Sequence, residues 1–415
     1  MAESNRQAAE VLAVVSVENR SGASTFRRFA DLVLGRQMRE RVAAVERAIY
    51  KLGEAQRDRG SSVDRQLTGL ARAVGEQPTA KDLREFRQAL RGVAGQEPQR
   101  RLFEALDQIA SSGRPLLIGP WTGEVGFELL YWIPFVEWVR AQWQRSSDRE
   151  LIVSRGGVAS WYGRDAAGYA DIFAFFGPEE FRAAVAEERR KHRQPGVFDE
   201  RVTDAVVRHR GWGEIDLIHP GLMYRTFAPY WSEEAGYALI DQFTRPRLLE
   251  RPTDAVPAGL PTDYVAVRFY FSECFPETKV NRAFARGVVS SLAERTPVVV
   301  LNPGFSVDEH SDWTPDERDR IVTMTDGLTP ERNLAVQSAV IAGARAFVGT
   351  YGGYSYLAPL YKVPAIAFYS RPSFKLHHLH AAQRAFSQIG AGALMPIDVA
   401  QARLVQAALG ALVAA

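Results

Sequence analysis

The sequence predicts an α/β protein, built as two successive α/β units behind a helical arm, and three observations carry that expectation. From residue 113 onward, short apolar runs recur, each closed by a Gly-rich or polar turn and followed by a helical pattern. That is the form taken by buried parallel strands in βαβ units. Leu248 to Asp263 (LLERPTDAVPAGLPTD) interrupts them with three prolines and a glycine and reads as a linker between two units. Ahead of both, Met38, Val42, Val45, Ile49 and Leu52 recur at the alternating four-and-three spacing that lays one apolar seam along a helix.

In chain order, residues 1–35 hold a short apolar patch, AAEVLAVVSVE, too brief to classify. Residues 36–112 form the arm, coiled-coil-like in pattern. After a Gly60-Ser61-Ser62 break its seam continues through Val63, Leu67, Leu70 and Val74. Thr79, with Asp82 three residues on, opens a further helix bearing Leu83, Phe86, Leu90 and Val93. The arm carries 15 basic against 11 acidic residues, a net of +4, without the clustered cations that nucleic acid or an anionic membrane would call for. Its expected role is self-association. Residues 113–255 form the first α/β unit, with strands at Pro115–Ile118 and Leu151–Ser154. Residues 256–395 form the second, with strands at Tyr264–Phe269, Pro297–Leu301, Ala346–Gly349 and Pro364–Tyr369. Residues 396–415 form a closing helix.

Composition excludes several classes. At 415 residues, 46% hydrophobic and 11% aromatic, the chain has ample material for buried cores. Its 51 basic and 49 acidic residues leave a formal charge of +2, no field for general nucleic-acid binding. One cysteine, Cys274, removes a disulfide framework and a thiolate metal cluster. No apolar run approaches the ~20 residues of a membrane span. The polar opening MAESNRQ is no secretory leader, so a cytoplasmic location is expected.

Three segments carry candidate chemistry. In GTYGGYSYLAPLYKVPAIAFYS, Gly349 to Ser370, a strand enters Gly349-Thr350, Gly352-Gly353 turns tightly and Ser355 helps cap the helix that follows. A glycine turn opening a helix presents backbone N–H groups and the positive dipole end, which suits a phosphate or diphosphate; an ordinary strand-turn-helix with packing glycines is the other reading. In GPWTGEVGFELLYWIPFVEWVR, Gly119 to Arg140, Gly123 and Gly126 bracket Glu124 in a tight loop. Beyond it runs a buried helix through Leu129, Leu130, Ile133, Phe135, Val136 and Trp138, interrupted by Pro134. A carboxylate in a glycine loop at a strand's carboxyl end lies where open α/β sheets contact ligands. Glu128 serves either the helix dipole or the cleft. In YVAVRFYFSECFPETKVNRAF, Tyr264 to Phe284, Arg268 sits among apolar strand neighbours, so it is either a buried ion-paired residue or a functional one. Glu273 and Lys279 follow on the loop as a carboxylate and a phosphate cation. Cys274 reads as a packed thiol. His219 in LIHPGLMYR and Arg155 in SRGG, both at strand ends, are further cleft candidates. His377, His378 and His380 lack a nearby carboxylate, so no metal is expected from them; one would face the cleft. Trp121, Trp132, Trp161, Trp212 and Trp231 read as core before they read as sugar-stacking faces.

NLAVQSAVIAGARAFVGTYGG (Asn333 to Gly353), continued by YSYLAPLYKVPAIAFYS, resembles the donor-binding half of GT-B glycosyltransferases, the heptosyltransferase-like members in particular. There too a helix ending in a small-residue step leads to a strand, a glycine-rich loop, a helix and a "gvPvval" strand. The resemblance implies two Rossmann-like domains and a nucleotide-diphosphate-sugar as donor substrate, with no cofactor. Thr350, Tyr351, Gly352 and Gly353 would hold the diphosphate, and the nucleoside would lie near Asn302, Leu328 and Asn333. Tyr351-Gly352-Gly353 stands where the heptosyltransferases carry Asp-Thr/Ser-Gly. Inverting members place a catalytic Asp or Glu after the first strand, a role that Glu124 would take toward the acceptor hydroxyl of a glycan, lipid or protein. Fucosyltransferase-like members carry a phosphate-contacting Arg in a VHVRRGD pattern that Arg268 matches at its first Arg, with Phe269 at the second and no Asp following. Glu309 and Glu317 have the E-x7-E spacing of retaining members but precede the donor loop, which favours inversion. No Asp-x-Asp step of the metal-dependent type is found. A nucleotide-sugar epimerase of the same fold, and a non-catalytic coiled-coil scaffold that binds a ligand, are the alternative readings.

Overall fold

The computed structural model describes residues 99–142, 149–187, 194–253, 255–302, 304, 311–315, 320–324, 328–373 and 376–414. Most of the expected arm, with residues 1–35, Glu309 and Glu317, lies outside the described residues. Of the arm, a helix over 99–112 (α1) is described, and it packs on the α/β body. Leu102 and Leu106 are buried, and the Phe103 ring meets those of Trp138 and Phe243 at 6.2 and 6.0 Å.

Two parallel sheets follow. The first consists of β1 (Leu116–Ile118), β2 (Glu150–Ser154), β3 (Tyr169–Asp171) and β4 (Asp216–Ile218) in the order β3-β2-β1-β4. Helix α2 joins β1 to β2 in three pieces, Val125–Phe127, a wide turn Glu128–Trp132 and Ile133–Gln142. Helices α3 (Pro178–Glu187) and α4 (Val197–Arg210) precede β4, and α5 (Pro220–Trp231) and α6 (Tyr237–Gln242) follow it. The second sheet takes β5 (Val265–Arg268), β7 (Val298–Leu301), β9 (Ile321–Met324), β10 (Ala346–Thr350), β11 (Ala365–Tyr369) and β12 (Leu394–Asp398) in the order β12-β11-β10-β5-β7-β9. β6 (Tyr270–Phe271) and β8 (Ser311–Asp312) form a separate antiparallel ribbon. The helices of this half are α7 (Lys279–Ala293), α8 (Asn333–Gly343), α9 (Gly353–Leu360), α10 (Leu376–Ile389) and α11 (Ala402–Ala414). Among the described residues no helix is long and apolar enough to cross a membrane.

Six strands are the apolar runs expected from sequence, and they pair in parallel as expected. β3, β9, β12 and the ribbon were not anticipated, for identifiable reasons. β9 is an edge strand with most of its side chains partly exposed, so it shows no apolar run, and β12 carries Pro396, which a strand bordering only β11 tolerates. The proline in α2 does not break it. The Ile133 N–H bonds back five residues to the Glu128 carbonyl, and this widened turn immediately precedes Pro134, whose ring would otherwise press on the preceding turn. Trp121, Trp132 and Trp161 are fully buried, as the core reading of the tryptophans expects.

In each sheet the chain begins in the middle, builds outward one way, then returns to build the other. The reversals fall between β1 and β4 and between β5 and β10. Open α/β sheets take ligands outside the carboxyl ends of the strands flanking such a reversal.

Candidate functional site

The loop leaving β1 is fastened at nearly every residue. Gly119 has φ +126°, and a Cβ there would collide with the Val153 carbonyl oxygen, so only glycine fits. Its N–H donates to the Ile218 carbonyl at 2.9 Å, and the Trp121 N–H to the Val153 carbonyl at 2.9 Å, which lays the loop across β4 and β2. The Trp121 ring stacks on Trp132 and Tyr224. Thr122 donates its hydroxyl to Asp199 at 3.1 Å, and the Gly123 carbonyl accepts from Arg155 Nη2 at 2.6 Å. Glu124 then stands exposed at the start of α2 in extended conformation, its carbonyl accepting the Glu128 N–H at 3.1 Å. The next two residues, Val125 and Gly126, lie against Gly353 of the second unit, so Glu124 stands next to the place where the two units meet.

Beneath this loop lies a buried polar cluster. Glu128 Oε1 accepts from the Ser154 hydroxyl and the Tyr162 hydroxyl, each at 2.6 Å, and Oε2 faces Arg155 Nη1 at 3.5 Å. Burial pushes the Glu128 carboxyl above the usual carboxylate range, against the pull of Arg155 and the two hydroxyls. Asp171 accepts the Gly157 N–H at 2.7 Å, the Phe173 N–H at 2.9 Å and the Tyr169 hydroxyl at 3.0 Å, and burial still pushes its carboxyl up to about 6. Both groups therefore hold protons more tightly folded than unfolded. Their favourable contribution is complete below the unfolded pKa and is lost as pH rises through the folded one. For Asp171, moving from 3.8 to about 6, the loss falls between roughly pH 4 and 6 and amounts to about 3 kcal/mol. Urea unfolding from pH 4.5 to 7.5 is expected to show stability declining with pH across this window, and Asp171→Asn should flatten the slope whatever its offset.

His219 is held by the fold. Its Nδ1 accepts the Gly221 N–H at 3.0 Å as the N-terminal cap of α5, which leaves the proton on Nε2, 3.1 Å from Asp199 Oδ2. Asp199 also accepts the Gly196 N–H at 3.0 Å. With both ring nitrogens engaged, His219 anchors β4 to α4 and, through Thr122, to the Glu124 loop.

In the second unit Arg268 ends β5 as a nearly buried cation. Its Nε and Nη2 both reach Asp312 of β8 at 3.1 Å, and its Nη1 donates to Gln337 Oε1 at 2.5 Å. Gln337 in turn donates to Asn333, at the start of α8. The guanidinium lies over the Tyr354 ring, 4.1 Å from its centroid. Thr350, fully buried, ties β10 to β6 by accepting the Tyr270 N–H at 3.0 Å and donating to the Tyr270 carbonyl at 2.8 Å. The Tyr351 hydroxyl meets that of Tyr356 at 2.6 Å. Gly352 has φ +154°, and a Cβ there would strike the Tyr270 hydroxyl. Ser355 closes the turn, accepting the Gly352 N–H at 3.1 Å and donating to its carbonyl at 2.7 Å. A Cβ on Gly353 would sit 3.0 Å from the Gly126 nitrogen, so the two glycine loops are in contact.

The side-chain candidates thus gather at the carboxyl ends of strands. Glu124 follows β1, Arg155 β2, His219 β4, Arg268 ends β5 and Thr350 ends β10. Asn302 follows β7, donating to the Thr314 hydroxyl at 2.7 Å and accepting the Gly304 N–H at 3.0 Å. Leu328 packs with Ala255, Val336 and Ala339 beside Asn333. Glu273 and Lys279 are exposed, one before and one at the start of α7. Cys274 is buried, and burial pushes its thiol up. His378 shares a 2.7 Å hydrogen bond with the Tyr131 hydroxyl, and the His377 carbonyl accepts from Tyr230 at 2.7 Å. Sequence reasoning missed Asp171, held by Gly157, Tyr169 and Phe173 nearby, and missed Asp199, Asp312, Gln337 and Tyr354, each of which matters through a contact far along the chain.

No protein-family model matches the chain, and no curated protein matches it. Among solved structures, it is similar to the bacterial iron-containing dodecameric glycosyltransferase TibC from enterotoxigenic E. coli H10407 at 15% identity and a TM-score of 0.29, over 61% of this chain and 58% of that one. A likeness of that extent assigns neither a fold family nor an activity. What the structure itself establishes is an α/β protein with two parallel sheets whose switch-point loops meet.

Proposed function

We propose that the protein is a glycosyltransferase of GT-B-like architecture, moving a sugar from a nucleotide-diphosphate donor to a hydroxyl acceptor with inversion. One observation carries this reading. Glu124 is an exposed carboxylate on an immobilised loop at the first switch point, and the next two residues, Val125 and Gly126, pack on Gly353 at the second, where α9 presents its N-terminus next to a fixed cation, Arg268. Glu124 takes the proton from the acceptor hydroxyl as that oxygen attacks the anomeric carbon. The anomeric C–O bond to the diphosphate breaks, and the leaving group keeps the electron pair. The first N–H groups of α9, with Arg268 behind the turn and Lys279 from α7, meet the charge that develops. Asn302, Leu328 and Asn333 border the space for the nucleoside. The donor is a substrate, the reaction needs no cofactor in this reading, and the expected setting is cytoplasmic. The acceptor, a glycan, lipid or protein hydroxyl, is met on the side of Glu124.

The test is thermal shift of the full chain with nucleoside diphosphates and nucleotide sugars, beside Gly353→Asp, which places a carboxylate in the turn. A ligand at one hundred times its Kd adds about 2.7 kcal/mol, a rise of about 3 °C for a chain of this length, and the variant should lose most of it. Slow hydrolysis of the stabilising nucleotide sugar supports transfer, while conversion to an isomeric sugar would replace it with the epimerase reading. Failure of every nucleotide to stabilise the parent would overturn both and leave the ligand-binding scaffold.

A further inference from the structure

We propose that Arg155 is the positioning residue for Glu124, an inference that rests on Glu124 acting as the base. The guanidinium grips the loop on both sides of that carboxylate. Nη2 donates to the Gly123 carbonyl at 2.6 Å, one residue before Glu124, and Nη1 faces the Glu128 carboxylate at 3.5 Å, one helical turn after it. The Glu128 N–H closes the third side by bonding to the Glu124 carbonyl at 3.1 Å. Glu124 is therefore the exposed member of a segment whose two flanks are held by one planar cation.

That cation is buried. Arg155 and Glu128 are 6% and 0% exposed, and Glu128 Oε2 and Arg155 Nη1, both shielded from solvent, face each other as an ion pair. The guanidinium also lies over the Phe181 ring, 5.6 Å from its centroid. A buried arginine is costly unless paired, and here the pairing is with the backbone and side chain that frame Glu124. The fork explains the residue type: one nitrogen donates to the Gly123 carbonyl while another carries the charge to within 3.5 Å of the Glu128 carboxyl, whereas a lysine ammonium is a single point of charge.

The residues after Arg155 attach the clasp to the second unit. Gly156 and Gly157 have φ of +76° and +79°. The Gly156 carbonyl accepts the Ala335 N–H of α8 at 2.8 Å, and a Cβ on Gly157 would lie 2.7 Å from the Glu331 carbonyl oxygen. The strand end that aims Arg155 at the Glu124 loop is thus seated on the same helix whose Gln337 holds Arg268.

The experiment uses the full chain as parent, Arg155→Lys and Arg155→Met, with two readouts. Hydrogen exchange is followed in peptides covering 119–128, with 346–350 as an internal reference for global opening. Positioning requires that Arg155→Met speed exchange in 119–128 by about 10-fold or more with the reference unchanged, and that Arg155→Lys recover part of the protection. Unchanged exchange in 119–128, or an equal rise in both segments, would overturn the proposal. The second readout is kcat and KM for hydrolysis of whichever of UDP-glucose, GDP-mannose and ADP-glucose the parent turns over. Arg155→Met should lower kcat by about 10-fold or more with KM within about twofold, and Arg155→Lys should lie between. A loosened loop with unchanged kcat would also overturn it. If the parent turns over none of the three, the transferase reading fails with these donors, and with it the catalytic purpose of the clasp. The exchange data still decide separately whether Arg155 holds the loop.

Discussion

Replacing Glu124 by glutamine is expected to lower kcat of sugar transfer by about 100- to 10,000-fold while leaving the melting temperature and KM close to those of the parent. The expected size follows from the role: a glutamine amide keeps the shape and hydrogen-bonding reach of the side chain but cannot accept a proton. The expected neutrality for stability follows from the structure, because Glu124 is exposed and its described attachment to the fold is through its backbone carbonyl. Surface substitutions of that kind shift stability by less than about 0.5 kcal/mol. Steady-state rates on the best nucleotide sugar, beside a thermal melt, provide the check. A variant with parental kcat would remove Glu124 from the chemistry, and the buried Glu128, which cannot reach solvent, offers no substitute.

The largest effect on the fold is expected at Gly349. It lies in β10 opposite Arg268 of β5, at the junction of the second sheet, and a Cβ there would collide with the Arg268 carbonyl oxygen and lie 2.9 Å from its carbon. The obstruction is backbone on a central strand, so it cannot be relieved by a rotamer change. Gly349→Ala should cost upwards of about 4 kcal/mol, enough to abolish soluble expression or halve the urea midpoint. Gly287 within α7 is the matched control: a Cβ there meets nothing within 4 Å, and alanine should stabilise by about 0.5–1 kcal/mol. Together the two substitutions separate glycine kept for close packing from glycine that is merely tolerated.

Strands buried on both faces announce themselves as apolar runs, which is why β1, β2, β5, β7, β10 and β11 were legible at nearly their observed limits. The edge strands β3, β9 and β12 have no such signature, and their placement follows from what they pair with. The site shows the same division. Glycine loops and a charge inside an apolar strand are local anomalies, so Glu124, Arg268 and the Gly352-Gly353 turn stood out. Their supports did not. Asp312 lies 44 residues from Arg268, and Asp199 lies 77 residues from Thr122 in an ordinary amphipathic helix. Nothing in a linear pattern marks an acid whose purpose is to hold a distant partner. Arg155 was visible as a polar residue at a strand end; that it points into the protein rather than into the cleft is a property of the two glycines after it and of the helix on which they rest.

The widened turn at Glu128–Trp132 fixes the angular bearing of everything before it. Each residue of an ordinary helix advances about 100° around the axis, so one residue fewer in that turn would swing the whole segment from Gly119 to Phe127 by more than a quarter of a circle relative to Pro134 and the buried helix beyond. Glu128 would leave its pocket, and Glu124 would be aimed away from the second sheet. The bearing of the carboxylate is thus written as a count of residues as much as a choice of them, and a family of related chains should preserve the number of positions between Gly119 and Pro134 more strictly than their chemistry.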